Sequence, residues 1–127
     1  MATAFLHHVV VDTEDSAVAA LERIKTTRYD VVLSDLMMPG MTGVELAVRI
    51  RAISPCTPIV IMRGVPDVTE RVRGHDVFAF IAKPIHHQAL IHVLSQAMAF
   101  GRAHSPYPER SASRIVALYP NCWRHGD

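Results

Sequence analysis

The sequence predicts an α/β fold: an open parallel sheet with helices on both faces. Four short runs rich in β-branched or apolar residues end at Val11, Asp35, Met62 and Ala82. They show little alternation between apolar and polar residues, as expected of strands that are buried on both faces. Helical patterns separate the runs, and such an alternation favours a parallel sheet with right-handed crossovers.

The helices are predicted from apolar residues that recur at intervals of three and four. Three segments show this spacing, namely Ala17, Ala20, Leu21 and Ile24, then Leu46, Ala47, Ile50 and Ile53, and last Leu90, Val93, Leu94 and Ala97. Asp15 or Ser16 is suited to cap the first helix. The third connection, from Arg63 to Asp76, has room for two helical turns at most, with Pro66 in the first of them.

The composition indicates one water-soluble domain. The chain has 127 residues, half of them hydrophobic, and a formal charge of +1, so no global field favours nucleic acid or an anionic membrane. No apolar run approaches the ~20 residues that span a bilayer, and the N-terminus lacks the features of a signal peptide. Cys56 and Cys122 lie far apart and form no metal-type spacing. We therefore expect a reducing, cytoplasmic setting.

The amino-acid composition of the chain changes after Gly101. Residues 102–127 contain three prolines, several serines and arginines, and one compact apolar run, from Ile115 to Tyr119. We predict a folded domain over residues 1–101 and a tail or linker over 102–127, with one short element that docks on the domain.

Charged residues follow all four predicted strands. They are Asp12 with Glu14 and Asp15, then Asp35, then Arg63, and last Lys83 with Pro84. In open α/β sheets ligands bind beyond the carboxyl ends of the strands, so these side chains are expected around one crevice. Carboxylates suit Mg²⁺, and basic side chains balance phosphate charge, which points to phosphoryl chemistry.

Two stretches, YDVVLSDLMMPGMTGVELAVRIRAISPCTPIVIM and FIAKPI, resemble the response-regulator receiver domain of two-component signalling. The resemblance runs from about Val9 to Phe100 and implies a flavodoxin-like fold. It implies that Asp35 is the phosphoacceptor, that the Met37 carbonyl contributes to Mg²⁺ binding, and that Lys83 pairs with Asp35 and then with the phosphoryl group. Phe80 matches the aromatic switch position, and the Lys83–Pro84 bond is often cis in this family.

The same resemblance implies which partners the domain is expected to have. A histidine kinase or phosphotransfer protein would supply the phosphoryl group, and the output would pass through protein contacts, with a homodimer possible. No direct contact with nucleic acid or membrane is expected, nor is an enzymatic activity of the domain itself.

The chain departs from the family before Asp35, where it has one strand and one helix in place of two of each. In an ungapped register the first strand and helix of the family are missing, together with the acidic pair that normally holds Mg²⁺. In the other register, VVVDTEDS is that first strand and the deletion follows it.

A missing first strand would leave unpaired backbone inside the sheet, which is costly. The strand that is present could move into the vacant place, which would bring Asp12, with Glu14 as a second candidate, near the metal site. Strand exchange between two copies, or addition of Ile115 to Tyr119 as a strand, would also repair the sheet. In a structural interpretation Asp12 simply caps the helix that follows.

The second departure is Arg63, which stands where the family places threonine or serine. An arginine there could pair with Asp35 or point to solvent, and in either case the hydroxyl relay to Phe80 is absent. Two further functions therefore remain open. One is a pseudo-receiver, an interaction module that is not productively phosphorylated. The other is a small enzyme that uses Asp35 as a nucleophile, for which we find no second acid and no substrate pocket.

Overall fold

The computed structural model describes residues 9–64, 77–104 and 113–118. Its strands are β1 (Val9–Glu14), β2 (Val31–Asp35), β3 (Met37–Met38), β4 (Met41–Thr42), β5 (Ile59–Arg63), β6 (Ala79–Ala82) and β7 (Ser113–Leu118). Its helices are α1 (Ala17–Thr26), α2 (Gly43–Ile53) and α3 (His87–Ala103). The predicted short helix after Arg63 falls mainly on residues 65–76, outside the described residues.

Five parallel strands form the main sheet in the order β1-β7-β2-β5-β6. The prediction of a flavodoxin-like open parallel sheet, with four strands or with a rearranged set of five, is confirmed, and the observed sheet has five strands. All five residues of β2 are buried, as expected for a central strand covered on both faces.

β7 is the strand that repairs the sheet. It lies between β1 and the Asp35 strand β2, the place that the first strand holds in the family. Of the three repairs considered, addition of the segment around Ile115 is the one observed, although the described strand covers Ser113–Leu118. β1 stays at the edge of the sheet, which agrees with the ungapped register. The domain boundary predicted after residue 101 has to be corrected, because β7 belongs to the sheet.

The main chain and the side chain of Asp30 together hold the start of β7 beside β2. The Asp30 N–H donates to the Arg114 carbonyl at 2.8 Å, and the Arg114 N–H donates to Asp30 Oδ2, also at 2.8 Å. The Asp30 residue is 1% exposed. Because a buried carboxylate needs hydrogen-bond donors, this contact favours one alignment of β7 along the sheet.

Each face of the sheet carries its own apolar cluster. Alternate residues of the central strands, such as Val32, Ile61 and Val116, pack with α1 and α2, while Leu33 and Val60 pack with α3. Ser16 caps α1, and Thr42 and Glu45 form a capping box at α2. No helix in the described part of the chain is long and apolar enough to cross a membrane.

Candidate functional site

The candidate site lies where β2, β5 and β6 end. Asp35 is the last residue of β2, Arg63 is the last residue of β5, and Lys83 follows β6 directly. Because the three strands are parallel, their carboxyl ends meet at one edge of the sheet. The structure thus brings together three of the residues that were predicted to share a crevice.

Asp35 and Lys83 form an ion pair at this edge. Lys83 Nζ lies 2.8 Å from Asp35 Oδ2, and the Asp35 side chain is only 5% exposed, against 28% for Lys83. A nearly buried carboxylate is strongly destabilising unless a positive group accompanies it. Lys83 therefore offsets the cost of burying the Asp35 carboxylate, and the lysine itself stays partly exposed.

A tight hairpin follows Asp35 and holds it in place. β3 and β4 pair around Pro39 and Gly40, and Gly40 has φ of 78°, a value that such a turn requires at its third residue. The Met37 N–H points to Asp35 Oδ1 at 3.4 Å, a long contact. The hairpin thus places the Met37 main chain next to the carboxylate.

Gly43 lets α2 begin against the back of the Asp35 main chain. A β-carbon at position 43 would lie 2.8 Å from the Asp35 carbonyl oxygen. The Gly43 N–H donates to the Leu36 carbonyl at 2.6 Å. Only glycine permits this approach without a shift of Asp35.

Lys83 is positioned by the backbone on both sides of it. Its N–H donates to the Arg63 carbonyl at 2.7 Å, and the Lys83–Pro84 peptide bond is cis, as the resemblance implied. The main chain of Lys83 is therefore held next to the last residue of β5.

Arg63 stacks on the aromatic ring of β6. Its guanidinium carbon lies 5.2 Å from the centroid of the Phe80 ring, within the range of a cation–π interaction. Phe80 is half-buried and packs against the apolar cluster on the α2 side of the sheet. Arg63 and Phe80, two of the three residues predicted for a switch together with Pro84, are thus in contact.

The structure does not bring Asp12 to this site. Asp12 Oδ2 accepts a hydrogen bond from Tyr29 Oη at 2.5 Å and lies 3.5 Å from Arg23 Nη1 and 4.0 Å from Arg114 Nη1. Its Cα is level with Val116 of β7, which pairs with Val32 of β2.

Asp35 lies three residues beyond Val32 along β2, and β2 lies two strand spacings from β1. The Cα atoms of Asp12 and Asp35 are therefore about 14 Å apart. Glu14, the second candidate, pairs with Arg23. The prediction of Asp12 as a metal ligand beside Asp35 is corrected, because β7 separates the two strands.

A family comparison settles what kind of domain carries this site. The profile described as "Response regulator receiver domain" matches residues 3–95. The chain belongs to this family. Receiver domains are generally signalling modules of two-component systems, without an enzymatic activity of their own.

Similar proteins agree with the assignment to the receiver-domain family. The chain is 34% identical over 98 residues to the response regulator MprA of a Mycobacterium species, which covers 76% of this chain and 41% of that protein. It is 32% identical over 99 residues to the transcription factor SKN7 of Chaetomium thermophilum, covering 70% and 12%. The matched part is thus less than half of either relative.

Solved structures share the fold. A CheY-like receiver domain from Methanospirillum hungatei superposes with a TM-score of 0.63 at 14% identity, covering 76% of this chain and 98% of the other. An adenylate cyclase structure from Rhodopirellula baltica gives a TM-score of 0.67 at 23% identity, covering 76% and 90%.

The donor set of this receiver domain does not form a resident Mg²⁺ site within the described residues. Receiver domains generally bind Mg²⁺ for phosphorylation. Mg²⁺ prefers six oxygen ligands, usually including one or two carboxylates. Among the described residues at the ends of β2, β5 and β6, Asp35 is the one acid. Its Oδ2 is held by Lys83, and the Met37 carbonyl is the other donor that the resemblance implies. No cluster of three metal-ligating side chains occurs in the described ranges.

Sequence reasoning missed Tyr29 and Arg23 as the partners of Asp12. Burial raises the pKa of Tyr29, and the hydrogen bond to Asp12 adds to that rise. Arg23 lies on the side of α1 that faces β1, and a helical wheel could have shown that placement. Its contact with Asp12 depends on where the sheet puts β1, which local spacing does not reveal.

Proposed function

We propose that Asp35 accepts a phosphoryl group from a histidine kinase or a phosphotransfer protein and that the domain signals through protein contacts. The observation that carries this proposal is the nearly buried Asp35 carboxylate in contact with Lys83 at the carboxyl edge of a parallel sheet. A carboxylate at a strand end with a lysine ammonium at 2.8 Å supports a role of Asp35 as a nucleophile toward phosphorus.

The transfer itself needs few groups. An Asp35 carboxylate oxygen attacks the phosphorus of a phosphohistidine, the P–N bond breaks, and its electron pair remains on the imidazole nitrogen. The products are an acyl phosphate on Asp35 and a neutral imidazole on the partner. Lys83 is released from the carboxylate when that oxygen bonds to phosphorus, and its ammonium then faces the new phosphoryl oxygens.

The test is phosphorylation of the purified chain with acetyl phosphate and with a phosphorylated histidine phosphotransfer protein. Intact mass spectrometry is expected to show one added phosphoryl group in the wild type and in Asp12→Asn. Asp35→Asn is expected to show none. The Asp12 variant is the matched control, because it removes an acid of the same kind about 14 Å away.

A second candidate is a pseudo-receiver, which binds its partner without being phosphorylated. The observation that favours it is the sparse set of acids at the Asp35 edge, together with an arginine in the place of the family's hydroxyl. A folded wild type that stays unlabelled by both donors, in the presence of Mg²⁺, would support this candidate over the first.

A further inference from the structure

The outward face of α2 carries apolar side chains next to charges of both signs. Val48 lies in the middle of this face and is 52% exposed, and Ala52, one turn further along the helix, is exposed as well. Glu45 and Arg49 are exposed beside Val48. A surface with an apolar centre and a charged margin is typical of a contact between proteins.

The helical repeat places the apolar and the charged side chains on different sides of this face. Successive residues of an α-helix are rotated by about 100°. The residues of α2 that face the sheet are the four buried ones, namely Gly43, Leu46, Ala47 and Ile50. Relative to the direction that points away from them, Val48 lies on one side, whereas Glu45 and Arg49 both lie on the other. The face therefore has an apolar side and a charged side.

An open depression lies beside this face. It has a volume of about 370 Å³ and is lined by Gly40, Met41, Glu45, Val48 and Arg49. The hairpin of β3 and β4 supplies the first two of these residues, and α2 supplies the other three. Because this volume lies at the lower end of the range of binding pockets in proteins, the depression has room for side chains of a partner.

The face is complementary to itself when two α2 helices pack antiparallel around a twofold axis. With the axis at Val48, the valines of the two copies meet. Glu45 precedes Val48 by three residues and Arg49 follows it by one, so Glu45 of one copy and Arg49 of the other are about 3 Å apart along the helix direction. The twofold axis keeps both residues on the same side of the helix pair. Two contacts between opposite charges thus lie beside the central valines.

We infer that α2 is a contact surface for a second copy of this chain, which binds through an antiparallel pair of α2 helices centred on Val48. One pair of helices buries a small area, so the association is weak and requires a high protein concentration. The inference goes beyond the proposed function and does not depend on it, because the surface lies outside the pair of Asp35 and Lys83. Its test therefore contains no phosphoryl donor.

The test measures self-association of the purified chain by sedimentation equilibrium between about 10 µM and 1 mM. The wild type is expected to form dimers whose dissociation constant rises with salt concentration, because the margin of the contact is charged. Val48→Lys places two ammonium groups at the twofold axis and should weaken association at least about tenfold. Gln96→Lys, at an exposed residue of α3 on the other face of the sheet, is the matched control and should associate like the wild type.

A charge exchange tests the pairing of Glu45 with Arg49. Glu45→Lys and Arg49→Glu each place like charges opposite each other in a dimer of identical copies, so each variant should associate roughly 5- to 30-fold more weakly. A one-to-one mixture of the two variants restores both pairs of opposite charge and should form mixed dimers with about the affinity of the wild type. Because Glu45→Lys also removes the capping box with Thr42, recovery in the mixture distinguishes charge pairing from damage to the helix.

Three outcomes overturn the inference. A folded wild type that stays monomeric up to about 1 mM shows that this face does not bind a second copy. Association that Val48→Lys leaves unchanged places the contact elsewhere on the molecule. A mixture that associates no better than either variant alone contradicts the antiparallel pairing. A circular-dichroism melt of each variant shows that the fold is retained, and labelling of Asp35 tests the proposed function separately.

Discussion

At the scale of single residues, the pairing of Asp35 with Lys83 dominates the site. The carboxylate is nearly buried, and the lysine lies 2.8 Å from it. The lysine offsets the cost of burying the carboxylate, and loss of the lysine leaves that cost uncompensated.

Replacing Lys83 by methionine should therefore lower the free energy of unfolding by about 3 kcal/mol, because Asp35 is left buried without its partner. Urea denaturation measures the loss. Lys25→Met is the matched control, since Lys25 pairs with Glu22 on the surface, and it should cost below about 0.5 kcal/mol. Equal losses of unfolding free energy in the two variants would show that the Asp35–Lys83 pair contributes no more to stability than an exposed ion pair.

Gly43 provides a second test at this scale. In Gly43→Ala the new methyl group meets the Asp35 carbonyl oxygen and the Leu36 main chain, so the carboxylate has to move away from Lys83. We expect acetyl phosphate to label this variant at least about tenfold more slowly, as misplacement of a reacting group implies.

The comparison variant is Gly40→Ala, where nothing lies within 4 Å but φ is positive. It should cost about 1 kcal/mol of stability and keep the labelling rate. A labelling rate for Gly43→Ala equal to that of the wild type would contradict the close approach.

At the scale of elements, the polar network around Asp12 connects β1 to α1 and to Tyr29, two residues before β2. Tyr29 donates its hydroxyl to Asp12, and Arg23 from α1 reaches both Asp12 and Glu14. The pKa of Tyr29 is raised in the folded chain, first by burial and then by Asp12, from its ordinary value of 10.0.

This shift predicts a loss of stability at alkaline pH. The neutral phenol is favoured by folding, so its contribution is fully present below pH 10.0 and is lost as the pH rises toward the folded pKa. The free energy of unfolding, measured in urea between neutral pH and pH values above 10, should fall less steeply in Tyr29→Phe than in the wild type. Parallel curves would mean that Tyr29 titrates alike in both states.

β7 is the element that makes the sheet continuous. Val116 of this strand is 0% exposed and packs in the cluster under α1. Val116→Ala should cost about 2 to 3 kcal/mol in urea denaturation, from two lost methyl groups and the cavity they leave. Val18→Ala, at a valine of α1 that is 65% exposed, should stay within about 0.5 kcal/mol. If both variants match the wild type, β7 is not part of the stable sheet.

At the scale of the whole molecule, the sequence predicted those features that depend on residues close together in the chain. Ser16 as a cap, the strands that end at Asp35 and near Met62, and the arrangement of Asp35 with Lys83 all follow from spacing and from strand ends. The position of Asp12 does not, because it depends on which strand lies between β1 and β2. That choice is made by β7, about 80 residues further along the chain, through contacts such as the one between Asp30 and Arg114.

The order of the sheet also explains why the family resemblance carries over only in part. β2 with Asp35, β5 and β6 with the following Lys83 are adjacent in the sheet, as the resemblance implied. The strand in the first position comes from the other end of the chain, and its last described residue is Leu118, level with Ser34. The strand beside β2 thus comes from a different part of the chain, while the contact between Asp35 and Lys83 is the one that the resemblance implied.

The most direct measurement of the central claim is to locate the phosphoryl group. The chain is treated with acetyl phosphate, reduced with borohydride to convert an aspartyl phosphate into homoserine, and mapped by peptide mass spectrometry. The account predicts homoserine at position 35 and at no other aspartate. A folded chain that remains unmodified, or that is modified at another residue in both the wild type and Asp35→Asn, would contradict it.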